Sequence, residues 1–492
     1  MSDTALSVET NGINQIAEEE RKGRPRDLFW PWFAANVSVL GVSYGSYVLG
    51  FGLALWQATL VAIIGVATSF LFVGIIAIAG KRGSAPTMTL TRAAFGVRGS
   101  RLPSLISWLL TVGWETSLVV VAVLASATIS DRLGWGGGTA TKVVALVVVV
   151  ALVAVGGTLG FNLIMRAQKW ITCIAGVLTV AYLGFAADEI DFGKVADLPG
   201  GSAPAVLGAL VFTMTGFGLG WVNAAADYSR YLPRSASTGG VVWWTAFGSS
   251  LGPVILLLFG ILLAGSSDDL NSAIGADPIG ALTTILPTWF LVPFAVATIL
   301  GLVAGAIMDV YSSGLALLNV GVRVPRWVAV CIDSTLMLIG AVYVVFFAND
   351  FLGPFQGFLI TLGVPIAAWC GIFIADILLR KSDYAEAELF TPTGRYGDIR
   401  WVSVGLVVVG SVVGWGLVTN TLASWLDWQG YFLGPLGGKT GDWAFANLGV
   451  LVSLVIGFVG YLLLGRGAVR AQEAHPAVSG SLVNSELSST GD

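Results

Sequence analysis

Histidine is almost missing: the chain of 492 residues has one, His475, near its carboxyl end. The three cysteines, Cys173, Cys331 and Cys370, lie far apart in apolar stretches. They read as small buried hydrophobes rather than disulfide partners or metal ligands. Zinc, haem and Ser-His-Asp chemistry are therefore not expected, and neither a metal nor another cofactor is. Charge is scarce as well, at 11% against about 25% in a soluble domain. No basic stripe interleaved with aromatics points to nucleic acid. No Gly-x-x-x-x-Gly-Lys-Ser/Thr loop is present, so ATP drive is not expected. The first 27 residues are polar, with no short apolar core, so no cleavable signal peptide is expected. The longest internal basic loop, about 380–400, is too short for a soluble catalytic domain.

Apolar residues fill the space that charge vacates. They make up 55% of the chain, and the mean hydropathy is +0.83. A bilayer crossing takes about 20 apolar residues at 1.5 Å each. The sequence places spans 1–12 near 28–52, 56–80, 104–130, 142–160, 168–187, 204–227, 241–264, 288–310, 326–347, 353–379, 401–425 and 443–465. A β-barrel does not fit, because barrel strands alternate every second residue over only about ten residues.

The few cations are sorted by side. Counting the gaps between spans alternately, one set, including both tails, holds 21 of the 25 Lys and Arg. The other set holds Arg132, Lys142, Lys194 and Lys439, alongside acids such as Asp188, Asp191, Asp268 and Asp269. Cationic loops stay in the cytoplasm, so both termini are expected there, in a multi-pass protein of the cell membrane. Residues 1–26 and 471–492 read as disordered tails, with the run Arg21–Arg26 suited to lipid headgroups.

The chain divides into a tail at 1–27, a first repeat at 28–187 (spans 1–5), a second at 204–379 (spans 6–10), two further spans at 401–465, and a tail at 466–492. Five is odd, so the second half enters from the opposite face and the halves have inverted topology. Spans 1 and 6 then correspond, as do 3 and 8.

Glycine marks where helices can break. Span 6 reads Thr-Gly-Phe-Gly-Leu-Gly-Trp over 215–221, and span 1 carries Gly41, Gly45, Gly50 and Gly52 after Asn36 and Ser38. Each glycine costs a helix about 1 kcal/mol, and unwound backbone inside a membrane must line a cavity. A single glycine more often serves close packing; three within five residues favour a break. Gly218 and Phe217 sit at that break and join the candidate substrate-binding residues.

Intramembrane acids come next. Glu115 lies about 16 Å into span 3 at helical rise. An isolated carboxylate there costs several kcal/mol unless it is paired, protonated or wetted. It reads as a substrate acceptor or proton carrier, with a structural contact as the alternative. Asp309, near the end of span 8, reads the same way less deeply. Asp333 and Asp376 read as structural, and Asp227 with Arg230 as a local ion pair or helix-end contact. Most of the 18 tryptophans fit interfacial belts. Trp114, beside Glu115, and Trp221, after the glycine run, do not. An indole beside a carboxylate suits a flat heterocycle, which needs stacking and polar edge contacts.

These segments resemble the nucleobase–cation symporter-1 family, most closely its purine–cytosine permease branch. The resemblance rests on Trp-Phe-Ala-Ala-Asn at 32–36, Gly-Trp-Glu at 113–115, Asp-Tyr-Ser-Arg-Tyr-Leu-Pro at 227–233 and Asp-Val-Tyr-Ser-Ser-Gly-Leu at 309–315, and spans about 28–465. It implies an all-α, twelve-helix fold of two inverted five-helix repeats plus two helices, shared with sodium-driven transporters. It also implies a base sandwiched between Trp114 and Trp221, its edges read by Asn36 or Ser38, Glu115 and Asp309. Sodium-using relatives carry paired hydroxyls in mid span 8. Here that stretch is Leu302-Val303-Ala304-Gly305-Ala306. A hard cation needs several oxygens, so a proton is favoured as coupling ion, carried by Glu115 or Asp309. The expectation is a proton-coupled importer of cytosine, adenine, guanine or hypoxanthine, needing no protein partner. An importer of an allantoin-, hydantoin- or vitamin-like heterocycle, or a sodium-coupled one, is the alternative. A membrane receptor or enzyme lacks the residues it would need.

Overall fold

The computed structural model describes residues 12–159, 161–348, 350–420 and 424–475, without the side chains of 159, 161–169 and 424. The outer parts of both tails and the Arg166 and Lys169 side chains thus lie outside the described residues. Lipid offers no hydrogen bonds, so each crossing must satisfy its backbone internally. Among the described residues every regular element is helical, and nine helices are long and apolar enough to cross a membrane. They are Leu55–Gly83, Arg101–Arg132, Thr139–Thr158, Trp170–Glu189, the broken Ala203–Ser229, Thr238–Ser266, Thr288–Val320, Arg326–Phe347 and Leu352–Leu379. The remaining segments are shorter. Span 1 is two helices, Phe29–Asn36 and Leu40–Leu49. Span 11 is Trp401–Gly416, and span 12, Leu448–Leu464, bends by 51° into Arg466–Ala474. Outward side chains are apolar: Val144, Val147, Val148 and Val155 of span 4 all stay exposed, as a lipid-facing helix requires.

The two sets of gaps meet on two separate faces. On the basic face, Val97 N–H donates to Gly397 O, Arg400 N–H to Phe95 O, and the Gln472 amide to Ala93 O. On the other, the Gln57 amide donates to Gly201 O, Lys194 pairs with Asp268 at 3.0 Å, and the Ser46 hydroxyl donates to Asn271 Oδ1 at 2.5 Å.

Spans pack in two groups. Span 7 lies against span 2 and both pieces of span 1, while span 2 also holds the pieces of span 6. Gly45 and Gly260 let spans 1 and 7 touch backbone to backbone: a Cβ on Gly260 would stand 1.9 Å from Val42 O. In the second group span 3 runs along span 8, flanked by spans 4 and 9. Span 10 packs on spans 11 and 12 and reaches spans 2, 3 and 6.

Five expectations need correction. Of the three cysteines only Cys370 is buried; Cys173 and Cys331 are exposed on the outer surface of their spans. Residues 12–28 are ordered, forming a strap across the basic face. Buried Arg21 donates to Leu232 O at 2.8–3.0 Å and to Lys81 O at 2.5 Å, instead of facing lipid headgroups. Residues 471–474 belong to the helix Arg466–Ala474, which Gln472 anchors. Span 8 does not end near 310 but continues to Val320, where Gly321 caps it at φ +110°. Asp309 is therefore well inside the helix. Span 11 stops at Gly416, short of 425.

Candidate functional site

Both corresponding spans break, but for different reasons. Span 6 breaks where its glycines predict, at Phe217 (φ −121°, ψ −105°), between Ala203–Gly216 and Gly218–Trp221. Span 1 breaks at Val37–Val39, where no glycine stands. Its glycines serve packing instead: Gly41 meets Leu256 and Gly45 meets Gly260. The available signal was the flanking polar pair, since the Ser38 hydroxyl accepts from the N–H of Leu40, the first residue of the second piece, at 3.3 Å.

At the span 6 break the freed backbone groups find partners in neighbouring spans, as they must inside a membrane. The Tyr44 hydroxyl donates to Gly216 O at 3.3 Å, and Gly218 N–H donates to Ser69 Oγ at 3.1 Å. The carbonyls of Ala35 and Val37 turn toward Gly305 and Gly301 of span 8, each 3.9 Å from where a Cβ would lie. That wall of span 8 bears no hydroxyl at 301–306.

Around the breaks the structure gathers the residues singled out by the sequence. Trp114 lies against Gly220, whose added Cβ would stand 2.8 Å from the indole nitrogen. Its ring meets Phe355 and Phe358 edge-on at 5.4 and 6.1 Å. Trp221 stands edge-on to fully buried Trp32 at 5.7 Å. Trp114, Trp221, Asn36 and Ser38 each keep part of their surface uncovered, although they sit mid-molecule. The Asn36 amide donates to Trp32 O at 2.8 Å, leaving its oxygen the freer end. Phe217 is buried against Tyr44, ring centroids 4.6 Å apart, and Gly218 is buried on Ser69. Phe217 and Gly218 thus shape the break rather than present polar atoms.

Glu115 is 0% exposed, and neither carboxylate oxygen has a hydrogen-bond partner. The Ser313 hydroxyl lies beside it, and Asp333 and Asp309 are near enough for their charges to act on it. The buried Trp114 indole N–H is also unpartnered. A hydrogen-bonding group buried without a partner costs about 1–3 kcal/mol, so this trio of atoms is suited to a ligand. Among the described ion pairs none involves Glu115, Asp309, Asp333 or Asp227.

Asp227 and Arg230 have separate partners. Asp227 accepts from the backbone and hydroxyl of Thr87, both at 2.8 Å. Fully buried Arg230 donates to the Tyr311 hydroxyl at 2.7 Å and to Gly12 O at 3.0 Å. These are the helix-end contacts, without the local pair. Asp376 does pair locally, with Arg380 at 2.9 Å, and accepts from the Tyr461 hydroxyl. Phe355 and Phe358, which pack on Trp114, and Tyr44, which packs on Phe217, carried no signal beyond being aromatic.

A helical membrane chain in which two non-adjacent spans unwind at one level, around buried unpartnered polar atoms, is a transporter rather than an enzyme. It belongs to the family of permeases for cytosine/purines, uracil, thiamine and allantoin, whose model matches residues 15–434. The protein YxlA of Bacillus subtilis is 22% identical over 97% of this chain and all of its own length. The purine-cytosine permease FCY2 of Saccharomyces cerevisiae is 24% identical, with 93% of this chain and 88% of the relative covered. The fold is that of Mhp1, a nucleobase-cation-symport-1 family transporter, solved closed with bromovinylhydantoin bound: TM-score 0.69, 18% identity, 98% of this chain and 99% of that one. The family resemblance read from the sequence is thereby confirmed.

Proposed function

We propose that this chain imports purine or pyrimidine bases of the cytosine, adenine, guanine and hypoxanthine class, driven by an inward proton gradient. The observation that carries the reading is Glu115, buried without a hydrogen bond beside the unpartnered Trp114 indole and the span 6 break. A base offers the flat face that Trp114 and Trp221 can stack and N–H groups that a carboxylate accepts. Asn36, Ser38 and Asp309 border the same level and meet its other edges. The coupling ion is a proton because the span 8 wall facing the Ala35 and Val37 carbonyls has no side-chain oxygen at 301–306, and a hard cation needs several. The basic face is cytoplasmic by the distribution of Lys and Arg. Transport proceeds by rocking spans 1, 2, 6 and 7 against spans 3, 4, 8 and 9, two groups that each pack within themselves.

Binding of labelled bases to purified protein tests the stacking. Base–aromatic stacking contributes about 1–3 kcal/mol per base, so Trp114→Ala weakens binding by about 5- to 150-fold, with the helical content unchanged. Equal affinity of the variant and the parent contradicts the site. Competition by unlabelled allantoin, hydantoin, thiamine and the four bases ranks the substrates; displacement by none of the bases contradicts the class.

A further inference from the structure

Asp333 of span 9 is fully buried, 0% exposed. It accepts a hydrogen bond from the Trp108 indole of span 3 at 2.5 Å and one from the Ser313 hydroxyl of span 8 at 2.8 Å. Ser313 in turn borders Glu115, whose oxygens have no hydrogen bond. Two buried carboxyl groups from different spans therefore flank one hydroxyl. Both of Asp333's hydrogen-bond donors are neutral. An amide would accept from Trp108 and Ser313 equally well, whereas a membrane carboxylate without a cation costs several kcal/mol. A purely structural role does not explain an acid at 333.

Resting on the proton-driven transport proposed above, we infer that Asp333 is the second half of the proton site, exchanging one proton with Glu115 through the Ser313 hydroxyl. The Ser313–Asp333 half of this path is already hydrogen-bonded, and the other half needs Glu115 to close on the Ser313 hydroxyl beside it. With Glu115 protonated, its O–H donates to Ser313 Oγ, and the Ser313 O–H donates to the Asp333 carboxylate, as the present geometry shows. Moving each proton one oxygen along leaves Asp333 protonated, Ser313 intact and Glu115 anionic, with its O–H bond broken and one formed on Asp333. Glu115 is then free to accept a substrate N–H while the coupling proton stays bound. One proton thus accompanies one base, and the acids never carry two adjacent charges.

The other charged and titratable groups around Asp333 are few. Span 9 packs against spans 3, 4 and 8. Span 3 presents Glu115, with Arg101, Asp131 and Arg132 at its ends; span 4 has Lys142 at its outer end; span 8 presents Asp309 and Tyr311. On span 9 itself Arg326 lies toward the basic face, over the Tyr311 ring at 4.7 Å. Glu115 and Asp309 are the acids at the level of Asp333.

The test is uptake of labelled cytosine and hypoxanthine into proteoliposomes, comparing the parent with Asp333→Asn, Ser313→Ala and Ser313→Thr. Asp333→Asn keeps base binding within threefold and keeps base-for-base exchange, but loses pH-driven accumulation by tenfold or more. Ser313→Ala shows the same split, and Ser313→Thr restores accumulation. Accumulation by Asp333→Asn equal to the parent overturns the inference, as does a parallel loss of exchange and accumulation in a folded variant. Where Asp333→Asn does not fold, an unchanged pH profile in Ser313→Ala overturns it. A parent that ignores the pH gradient brings down the coupling reading itself. A parent that responds, with variants that respond equally, brings down only Asp333.

Discussion

Replacing Glu115 by Gln abolishes uphill uptake of base under an inward proton gradient and leaves downhill exchange running. Glutamine matches the shape of Glu115 and keeps one acceptor oxygen, so the packing around Val119 and Leu110 on the same helix is undisturbed. It cannot take up a proton. If Glu115 accepts the coupling proton, base binding by the variant loses the pH dependence that the parent shows. Affinity falls as well, because a charge-assisted hydrogen bond is roughly twice as strong as a neutral one, which here corresponds to about tenfold. Uptake at several external pH values, with exchange measured in parallel, checks both effects. A variant that still accumulates base with the full pH dependence of the parent removes Glu115 from the coupling.

Gly218→Ala is expected to eliminate transport for a geometric reason. A Cβ at 218 would lie 2.1 Å from the Ser69 carbonyl carbon and 2.5 Å from Phe70 N. The obstacle is the main chain of span 2, which has no rotamer to change. Overpacking costs about 1–3 kcal/mol and occasionally more, and this site has little room to relax. Relief requires span 6 to lift from span 2, which breaks the Gly218 N–H to Ser69 Oγ hydrogen bond and shifts the neighbouring Gly220 and Trp221. Uptake therefore falls by at least about tenfold, and the unfolding temperature in detergent drops. Gly184→Ala in span 5 is the control, with nothing within 4 Å of the added methyl. Wild-type uptake by Gly218→Ala contradicts the seating of the broken helix.

Much of the architecture was legible because the bilayer imposes a coarse code. Apolar length located most spans, and the positions of 25 cations sorted the gaps into two faces that the hydrogen bonds then join. The break at Phe217 was legible because three glycines penalise a helix locally. The break in span 1 was not. It goes with the Ser38 hydroxyl bound to Leu40 N–H and with carbonyls turned toward span 8, and its glycines answer to span 7. Asp309 read as shallow because Asp309, Ser312 and Ser313 look like a helix end. The helix continues because Ser313 is satisfied by Asp333, a partner twenty residues away in sequence. Arg21 read as a lipid contact for the same reason: its acceptors, Lys81 O and Leu232 O, are 60 and 211 residues away. What escaped the sequence is tertiary pairing of polar atoms, and that pairing builds the acidic cluster.

In the proposed function a kinked, indole-lined pocket holding a buried acid lets protons drive bases across the membrane. Uptake of labelled cytosine, adenine, guanine and hypoxanthine into proteoliposomes, with pH and sodium gradients imposed separately, tests it most directly. Accumulation of at least one base under the pH gradient, and of none under sodium alone, is the predicted result. Accumulation under sodium alone contradicts the coupling, and failure of every base to bind or enter under any gradient contradicts the whole account.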